Sequence, residues 1–344
     1  MDNLQLIVKK YNIAIVGATG VVGETMLSIL EERNFPVNNL ILLASERSSG
    51  KEYWFRGQRS TVKTLNENSF KDINIALFSA GAMISKQYAD IAVSEGCTVI
   101  DNSSAFRMDS DVPLVIPEIN PEALSNHNGI IANPNCTTIV TLMALNAINK
   151  YSKIKKIIAS SYQAVSGAGQ DGINELIDQN KAIVIGQDPQ IKYFSHQIAN
   201  NLIPKIDRMD ENGFTAEEMK MVNETRKIFN DENIRISATC VRVPVKTAHS
   251  VAVTIETENK IPIDNVREMI KNAEGVELLD DPLNNIYPMP LLAEGKDSCL
   301  VGRIREDLVF ENGISLWVSG DQLRKGAALN TIQIAEKMIE MGVI

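Results

Sequence analysis

Cys136 stands in Asn133-Pro134-Asn135-Cys136-Thr137-Thr138, directly before the apolar run Ile139–Leu145. A Pro/Asn turn followed by helical spacing predicts that a helix begins at the sulfur. The first backbone N–H groups of a helix lack internal partners, and the aligned peptide dipoles place partial positive charge there. A thiol at that point is pushed toward thiolate, the form that attacks a carbonyl carbon. A free cysteine is also commonly a small buried hydrophobe, so the choice between the two readings rests on later residues suited to the same chemistry.

Those residues fall into three blocks. In Arg242-Val243-Pro244-Val245-Lys246-Thr247-Ala248-His249-Ser250 an alternating strand leads to His249, which can take a proton from a thiol or thiohemiacetal and return it. His127 and His196 lie in stretches with no catalytic pattern. In Ser161–Gly169 a strand runs into a glycine-rich loop, where Gln163 can orient a substrate carbonyl or amine. Ser166 and Gly167 there let backbone approach a nicotinamide. In Ala216–Phe229 the pattern is helical, with Thr215 as N-cap and Glu218 completing a capping box. Glu217 and Lys220 share a face of it, a spacing that ordinarily marks a surface ion pair worth little. Arg107 follows a predicted strand at Thr98–Asp101. If Arg107, Lys220 and Arg242 converge, they hold a phosphate and a carboxylate while Glu217 receives an ammonium. Backbone N–H groups at the helix start, with Asn135, are candidates to stabilise an oxyanion.

A second kind of site precedes these. Gly17-Ala18-Thr19-Gly20-Val21-Val22-Gly23 follows the apolar run Tyr11–Val16 and opens a helical pattern, Val22–Arg33. Glycines so spaced allow a tight turn, close approach of backbone to a pyrophosphate, and close packing of helix on strand. The pattern lacks the Gly-Lys-Ser/Thr of a P-loop. At the end of the next strand stands Leu43-Ala44-Ser45-Glu46-Arg47-Ser48-Ser49. Arg47 and Ser48 suit a 2′-phosphate through charge-assisted hydrogen bonds, whereas Glu46 suits the ribose hydroxyl of NAD; the reading favours NADP.

The elements that position these groups alternate as strand and helix through Ala132: Leu40–Ala44, a hairpin in Lys51–Leu65 turning at Arg56-Gly57-Gln58, Ile75–Phe78, Met83–Ser94, Thr98–Asp101 and Gly129–Ala132. This predicts an α/β, Rossmann-like, doubly wound and mostly parallel sheet. After Lys150 longer strands (Lys156–Tyr162, Arg235–Val243, Val251–Glu256, Leu300–Arg305, Ile314–Val318) and segregated helices predict an α+β catalytic and dimerisation domain with its sheet covered on one face. From Gln322 to Met341 a long C-terminal helix is expected to return to the first domain. The expected domains are 1–134 with 322–344, for NADP, and 135–321, rigidly joined with a cleft between them.

The 344 residues, 44% hydrophobic and 22% charged, have the composition of a soluble globular protein too long for one core. A net charge of −9 argues against nucleic-acid or anionic-membrane partners. Four scattered cysteines and three separated histidines point to a reducing compartment and to no metal site. Met1–Lys10 lacks a signal-peptide pattern and no apolar run is long enough to span a bilayer, so the expected location is cytoplasmic.

The ordered blocks Gly17–Gly23, Ser103–Arg107, Asn133–Thr138, Ser161–Gly169, Thr215–Lys220, Arg242–His249 and Gly320–Asn330 resemble the aspartate-semialdehyde dehydrogenase family over nearly the whole chain. The resemblance implies NADP-dependent reductive dephosphorylation of L-aspartyl 4-phosphate to L-aspartate 4-semialdehyde, on the route to lysine, threonine and methionine. It implies Cys136 as nucleophile through a thioester and His249 as acid/base. It further implies Gln163 and Arg242 at the substrate, Arg107 and Lys220 at phosphate, and Glu217 near the amino group. Thr19–Val22, Arg47, Ser48, Ser166, Gly167 and Gln322 would touch NADP, and the assembly would be a homodimer or homotetramer. The alternatives are N-acetyl-γ-glutamyl-phosphate reductase, whose substrate has no free ammonium for Glu217, and a non-catalytic NADP-binding regulatory protein with a structural Cys136.

Overall fold

A computed structural model describes residues 9–344, so the Met1–Lys10 stretch lies outside the described residues but for Lys9 and Lys10. The chain forms two compact units. One comprises residues 9–115, Glu122–Asn133 and Thr331–Ile344; the other comprises Ile116–Pro121 and Pro134–Asn330.

The first unit runs Tyr11–Val16 (β1), Val21–Glu32 (α1), Val37–Ala44 (β2), Glu52–Phe55 (β3), Gln58–Thr61 (β4), Lys63–Thr64 (β5), Ile75–Phe78 (β6), Ala82–Ser94 (α2), Thr98–Asp101 (β7) and Ile130–Ala132 (β8). Its sheet has the order β5-β2-β1-β6-β7-β8, and every neighbouring pair is parallel. Parallel strands are buried on both faces and so read as unbroken apolar runs; β6 and β7 are buried at every position. Ile13 stands opposite Leu40 on one side and Ile75 on the other, so β1 and β6 end together at Val16 and Phe78. Strand order reverses at β1, the switch point beyond which such sheets bind ligands. The expected hairpin is present as β3–β4, turning on Arg56 and Gly57 at φ 49° and 73°. β5, two residues long, adds an edge strand that no sequence pattern announces.

The second unit runs Cys136–Tyr151 (α3), Ile154–Gln163 (β9), Gly169–Val184 (α4), Ala216–Phe229 (α5), Arg235–Arg242 (β10), His249–Thr257 (β11), Ile263–Lys271 (α6), Val276–Leu278 (β12), Pro290–Ala293 (α7), Cys299–Glu306 (β13) and Gly313–Gly320 (β14). Its mixed sheet has the order β10-β9-β11-β14-β13-β12. α3, buried from Thr137 to Leu145, packs across β9, β11, β13 and β14 and touches α5 and α6. A helix apolar on most of its circumference must lie inside, while its first residue, Cys136, stays half-buried at its end. On the strands, Ile158 is exposed and Tyr162 and Trp317 stack with ring centroids 5.3 Å apart.

The C-terminal helix departs from expectation at its start. Asp321 accepts from the N–H groups of Leu323 and Arg324, and the chain then makes a π-helical turn over Arg324–Ala328 before Leu329–Met341 (α8). Gly326 N–H donates to the Asp321 carbonyl and Ala328 N–H to the Leu323 carbonyl, each five residues back. The wider turn lets Gly326 approach α3: a Cβ there would lie 3.0 Å from the Cβ of Cys136. Residues from Thr331 onward belong to the first unit, where Glu336 pairs with Arg33 at 2.7 Å.

Candidate active site

Asn135 is the N-cap of α3. Its Oδ1 accepts from the N–H of Thr137 (2.9 Å) and Thr138 (3.2 Å), which holds Cys136 at the first helical position. Two carboxylates of α5 clamp the cap: Glu217 Oε1 accepts from Asn135 Nδ2 (2.9 Å), and Glu224 Oε2 accepts from the Asn135 backbone N–H (2.7 Å). The sulfur is half-buried and lies 3.5 Å from Nε2 of His249.

The expected set Cys136, His249, Gln163, Glu217, Arg242, Asn135, Lys220, Ser166, Gly167 and Gln322 belongs to the second unit. Gln163 Nε2 donates to Glu217 Oε1 (3.3 Å) and to Ser161 Oγ (3.2 Å). Arg242, buried, donates to the Ala164 carbonyl at 2.7 Å. A Cβ on Gly167 would fall 2.9 Å from Arg242 Nη1 and 3.2 Å from His249 Nε2, so a side chain there would require the guanidinium or the ring to shift. The Glu217–Lys220 pair is not the surface pair its spacing suggests. Glu217 is buried because α5 packs on α3 and β10, and Lys220 Nζ bridges it (3.1 Å) to Asp207 (2.8 Å). Gln322 accepts from the Ala248 N–H (2.7 Å) and donates to Ser166 Oγ. It thereby braces Ala248, which sits at φ 70° immediately before His249.

Burial, followed by the charge of Arg242, holds the His249 imidazole well below its usual 6.5. Burial pulls Arg242 down, with Glu217 opposing. Burial also pulls at Lys220, but Glu217 and Asp207 more than offset it and its net shift is upward. Cys97, Cys240 and Cys299 are buried thiols pushed up to about 12, chiefly by desolvation. Iodoacetamide at neutral pH is therefore expected to label Cys136 alone, as read by peptide mass spectrometry. Labelling of any buried thiol in the folded chain contradicts this.

In the first unit, Arg107 is buried, with Nε donating to the Asn133 carbonyl (2.9 Å) and Nη2 to the Asn102 carbonyl (3.1 Å). The glycine turn lies at the switch point. Gly17 has φ +87°, and a Cβ there would meet the Ser79 carbonyl oxygen at 2.5 Å; one on Gly23 would meet the Gly17 oxygen at 2.3 Å. Gly20 is exposed and caps α1 with no side chain over it. Thr19 Oγ1 reaches Ser48 Oγ at 3.3 Å, while Arg47 beside it is exposed. A bare helix start, a glycine cradle and an adjacent hydroxyl–guanidinium loop fit a dinucleotide. Gly17→Ala should lower stability by about 2–4 kcal/mol through positive φ and the clash, measured by urea unfolding; a loss within error of zero contradicts the strained turn.

A family model described as "Semialdehyde dehydrogenase, NAD binding domain" matches residues 12–127, and one described as "Semialdehyde dehydrogenase, dimerisation domain" matches 145–325. An aspartate-semialdehyde dehydrogenase of Aquifex aeolicus is 56% identical, over 97% of this chain and 99% of that one. The chain belongs to the aspartate-semialdehyde dehydrogenase family. The Bacillus subtilis aspartate-semialdehyde dehydrogenase is 48% identical over 97% of this chain and 99% of its own. A crystal structure of Vibrio cholerae aspartate semialdehyde dehydrogenase II, described as complexed with ASA, superposes with a TM-score of 0.95 at 48% identity, over 97% of this chain and 99% of that one.

Sequence reasoning missed Glu224, Ala164 and Gly326. For Glu224 a signal exists: it follows Glu217 by two helical turns in α5, and with Glu218 it makes three buried acids on one helix. Ala164 and Gly326 act through backbone and carry no such mark. Among the described residues, no group of three or more His, Cys, Asp or Glu is arranged to hold a metal ion, and no helix is long and apolar enough to cross a membrane.

Proposed function

We propose that this chain catalyses the NADP-dependent, reversible reductive dephosphorylation of L-aspartyl 4-phosphate to L-aspartate 4-semialdehyde, as a cytoplasmic homodimer or homotetramer in amino-acid biosynthesis. The observation that carries the reading is Cys136 at the capped start of α3 with His249 Nε2 3.5 Å from its sulfur. The Cys136 thiolate attacks the acyl carbon, the S–C bond forms, and the phosphate oxygen departs with its electron pair to leave a thioester. Positive charge at the start of α3 favours both the anionic sulfur and the oxyanion that follows attack. Arg242 takes the substrate carboxylate, Glu217 the ammonium, and Gln163 holds the substrate beside Glu217. Arg107 and Lys220 are the phosphate contacts.

NADPH, when bound, supplies a hydride to the acyl carbon. Gly17, Thr19, Gly20, Val21 and Val22 would hold its pyrophosphate and Arg47 and Ser48 its 2′-phosphate, with Ser166, Gly167 and Gln322 at the nicotinamide end. An N-acetylated substrate would leave Glu217 without an ammonium partner, which argues against the acetylglutamyl alternative.

The direct test is NADPH formation from L-aspartate 4-semialdehyde, NADP and phosphate. Turnover that depends on all three is expected; turnover only with the N-acetylglutamate analogue contradicts the reading. Arg47→Ala should raise the KM for NADP roughly 10- to 100-fold, the loss of a charge-assisted contact, with little change for NAD. Equal changes for both cofactors would remove Arg47 from this role.

A further inference from the structure

Lys325 is buried in the second unit, and a lysine is almost never fully buried unless paired. Its Nζ donates to Glu118 Oε1 at 2.7 Å and Oε2 at 2.6 Å, and to Asn330 Oδ1 at 2.9 Å. The Glu118 side chain is itself 5% exposed. Burial pulls the ammonium down and Glu118 opposes it. Glu118 arrives on Ile116–Pro121, a short stretch of chain that belongs to the second unit although the residues on both sides of it belong to the first. The middle of α3 holds that stretch in place, with Asn146 Nδ2 donating to the Glu118 carbonyl at 3.0 Å.

Net stability is a poor reason for such a pair. Apolar side chains of similar volume in place of a buried ion pair are commonly neutral or stabilising, and the best-attested use of a buried charged or polar group is to specify register. Lys325 lies in the π-helical turn Arg324–Ala328, whose arginine, lysine and two alanines are good α-helix formers that give no local reason for a wider turn. The Lys325–Asn330 bond joins residues five apart. In an α-helix such residues point about 140° away from each other, whereas the wider π-turn brings them toward one face. The bonds of Lys325 are thus made in the π register and lost in the α register.

The same register sets what lies against the thiol. Gly326 follows Lys325, and a Cβ there would lie 3.0 Å from the Cβ of Cys136 and 3.3 Å from that of Gln322. Gln322 in turn bonds the Ala248 N–H and Ser166 Oγ. We propose that Glu118 and Lys325 are positioning residues: their buried pair holds the π-turn in register, and the turn holds the Gly326 backbone against Cys136 and so fixes where the sulfur points. This rests on the proposed activity, in which the sulfur must meet the acyl carbon within narrow limits. Neither side chain is assigned a contact with substrate or cofactor; both act through Gly326 and Cys136.

The test replaces both partners at once in the full chain, Glu118→Leu with Lys325→Met, so that no buried charge is left unpaired. The urea midpoint should stay at or above that of wild type. The kcat per folded molecule should nevertheless fall roughly 10- to 100-fold, the scale of a thiol misplaced by about 1 Å, with the KM for L-aspartate 4-semialdehyde within about threefold. Alkylation of Cys136 by iodoacetamide should slow by roughly tenfold, as the sulfur leaves the site that favours its thiolate. A double variant that fails to fold, or that keeps wild-type kcat per folded molecule and wild-type alkylation, shows a pair that serves stability alone and overturns the proposal. Gly326→Ala leaves the pair intact and disturbs the contact directly; it should lower kcat and slow alkylation in the same way, and wild-type values of both overturn the proposal. Wild-type turnover in the same assay tests the activity itself. Alkylation and urea unfolding need no turnover, so the two failures are separable.

Discussion

Cys136→Ala is expected to lower phosphate-dependent turnover by roughly 10⁴- to 10⁶-fold, the scale of removing a covalent nucleophile. The folded structure should survive. Alanine keeps the Cβ against which Gly326 packs, and the Asn135 cap with its bonds to Glu217 and Glu224 does not involve the sulfur. The glycine turn that would receive NADP belongs to the other unit, so the dissociation constant for NADPH, followed by fluorescence titration, should hardly change. Retained turnover in this variant would remove Cys136 from the nucleophile role.

Arg242→Lys should lower kcat/KM by about 10³-fold, with much of the loss in KM, because the planar fork is lost while the charge remains. The guanidinium does two things at once. It holds the Ala164 carbonyl, and it is the cation assigned to the substrate carboxylate, for which a two-pronged donor is better than a point charge. The substitution separates charge from geometry, since a lysine at 242 still supplies the positive field that helps keep His249 neutral. Steady-state kinetics decides it, and a loss under tenfold would show that charge alone suffices.

The parts of the fold legible in sequence were those whose signal is local. β1, β6 and β7 are unbroken apolar runs because parallel strands are buried on both faces. The capping box at the start of α5 stands as its residues suggest, with Thr215 N–H donating to Glu218 Oε2 at 2.7 Å and Glu218 N–H to Thr215 Oγ1 at 3.3 Å. The Pro/Asn turn before Cys136 marks the start of α3, where the spacing places it. The illegible parts depend on contacts distant in sequence. Nothing near Ala164 states that its N–H meets an imidazole 85 residues away. Nothing in the helical periodicity after Gln322 foretells a π-turn, because one added residue per turn leaves the apolar spacing almost intact. Glu217 and Lys220 carry the spacing of a solvated pair, and only the packing of α5 shows that the carboxylate is buried and binds Asn135.

The account depends most on an acyl group resting on the Cys136 sulfur. With L-aspartate 4-semialdehyde and NADP but no phosphate, the wild-type chain should release a burst of one NADPH per active site, and the peptide containing Cys136 should gain an aspartyl group by mass spectrometry. Adding phosphate should discharge it. Rapid phosphate-dependent turnover with no burst and no acyl group on Cys136, or with the group on another residue, would contradict the account.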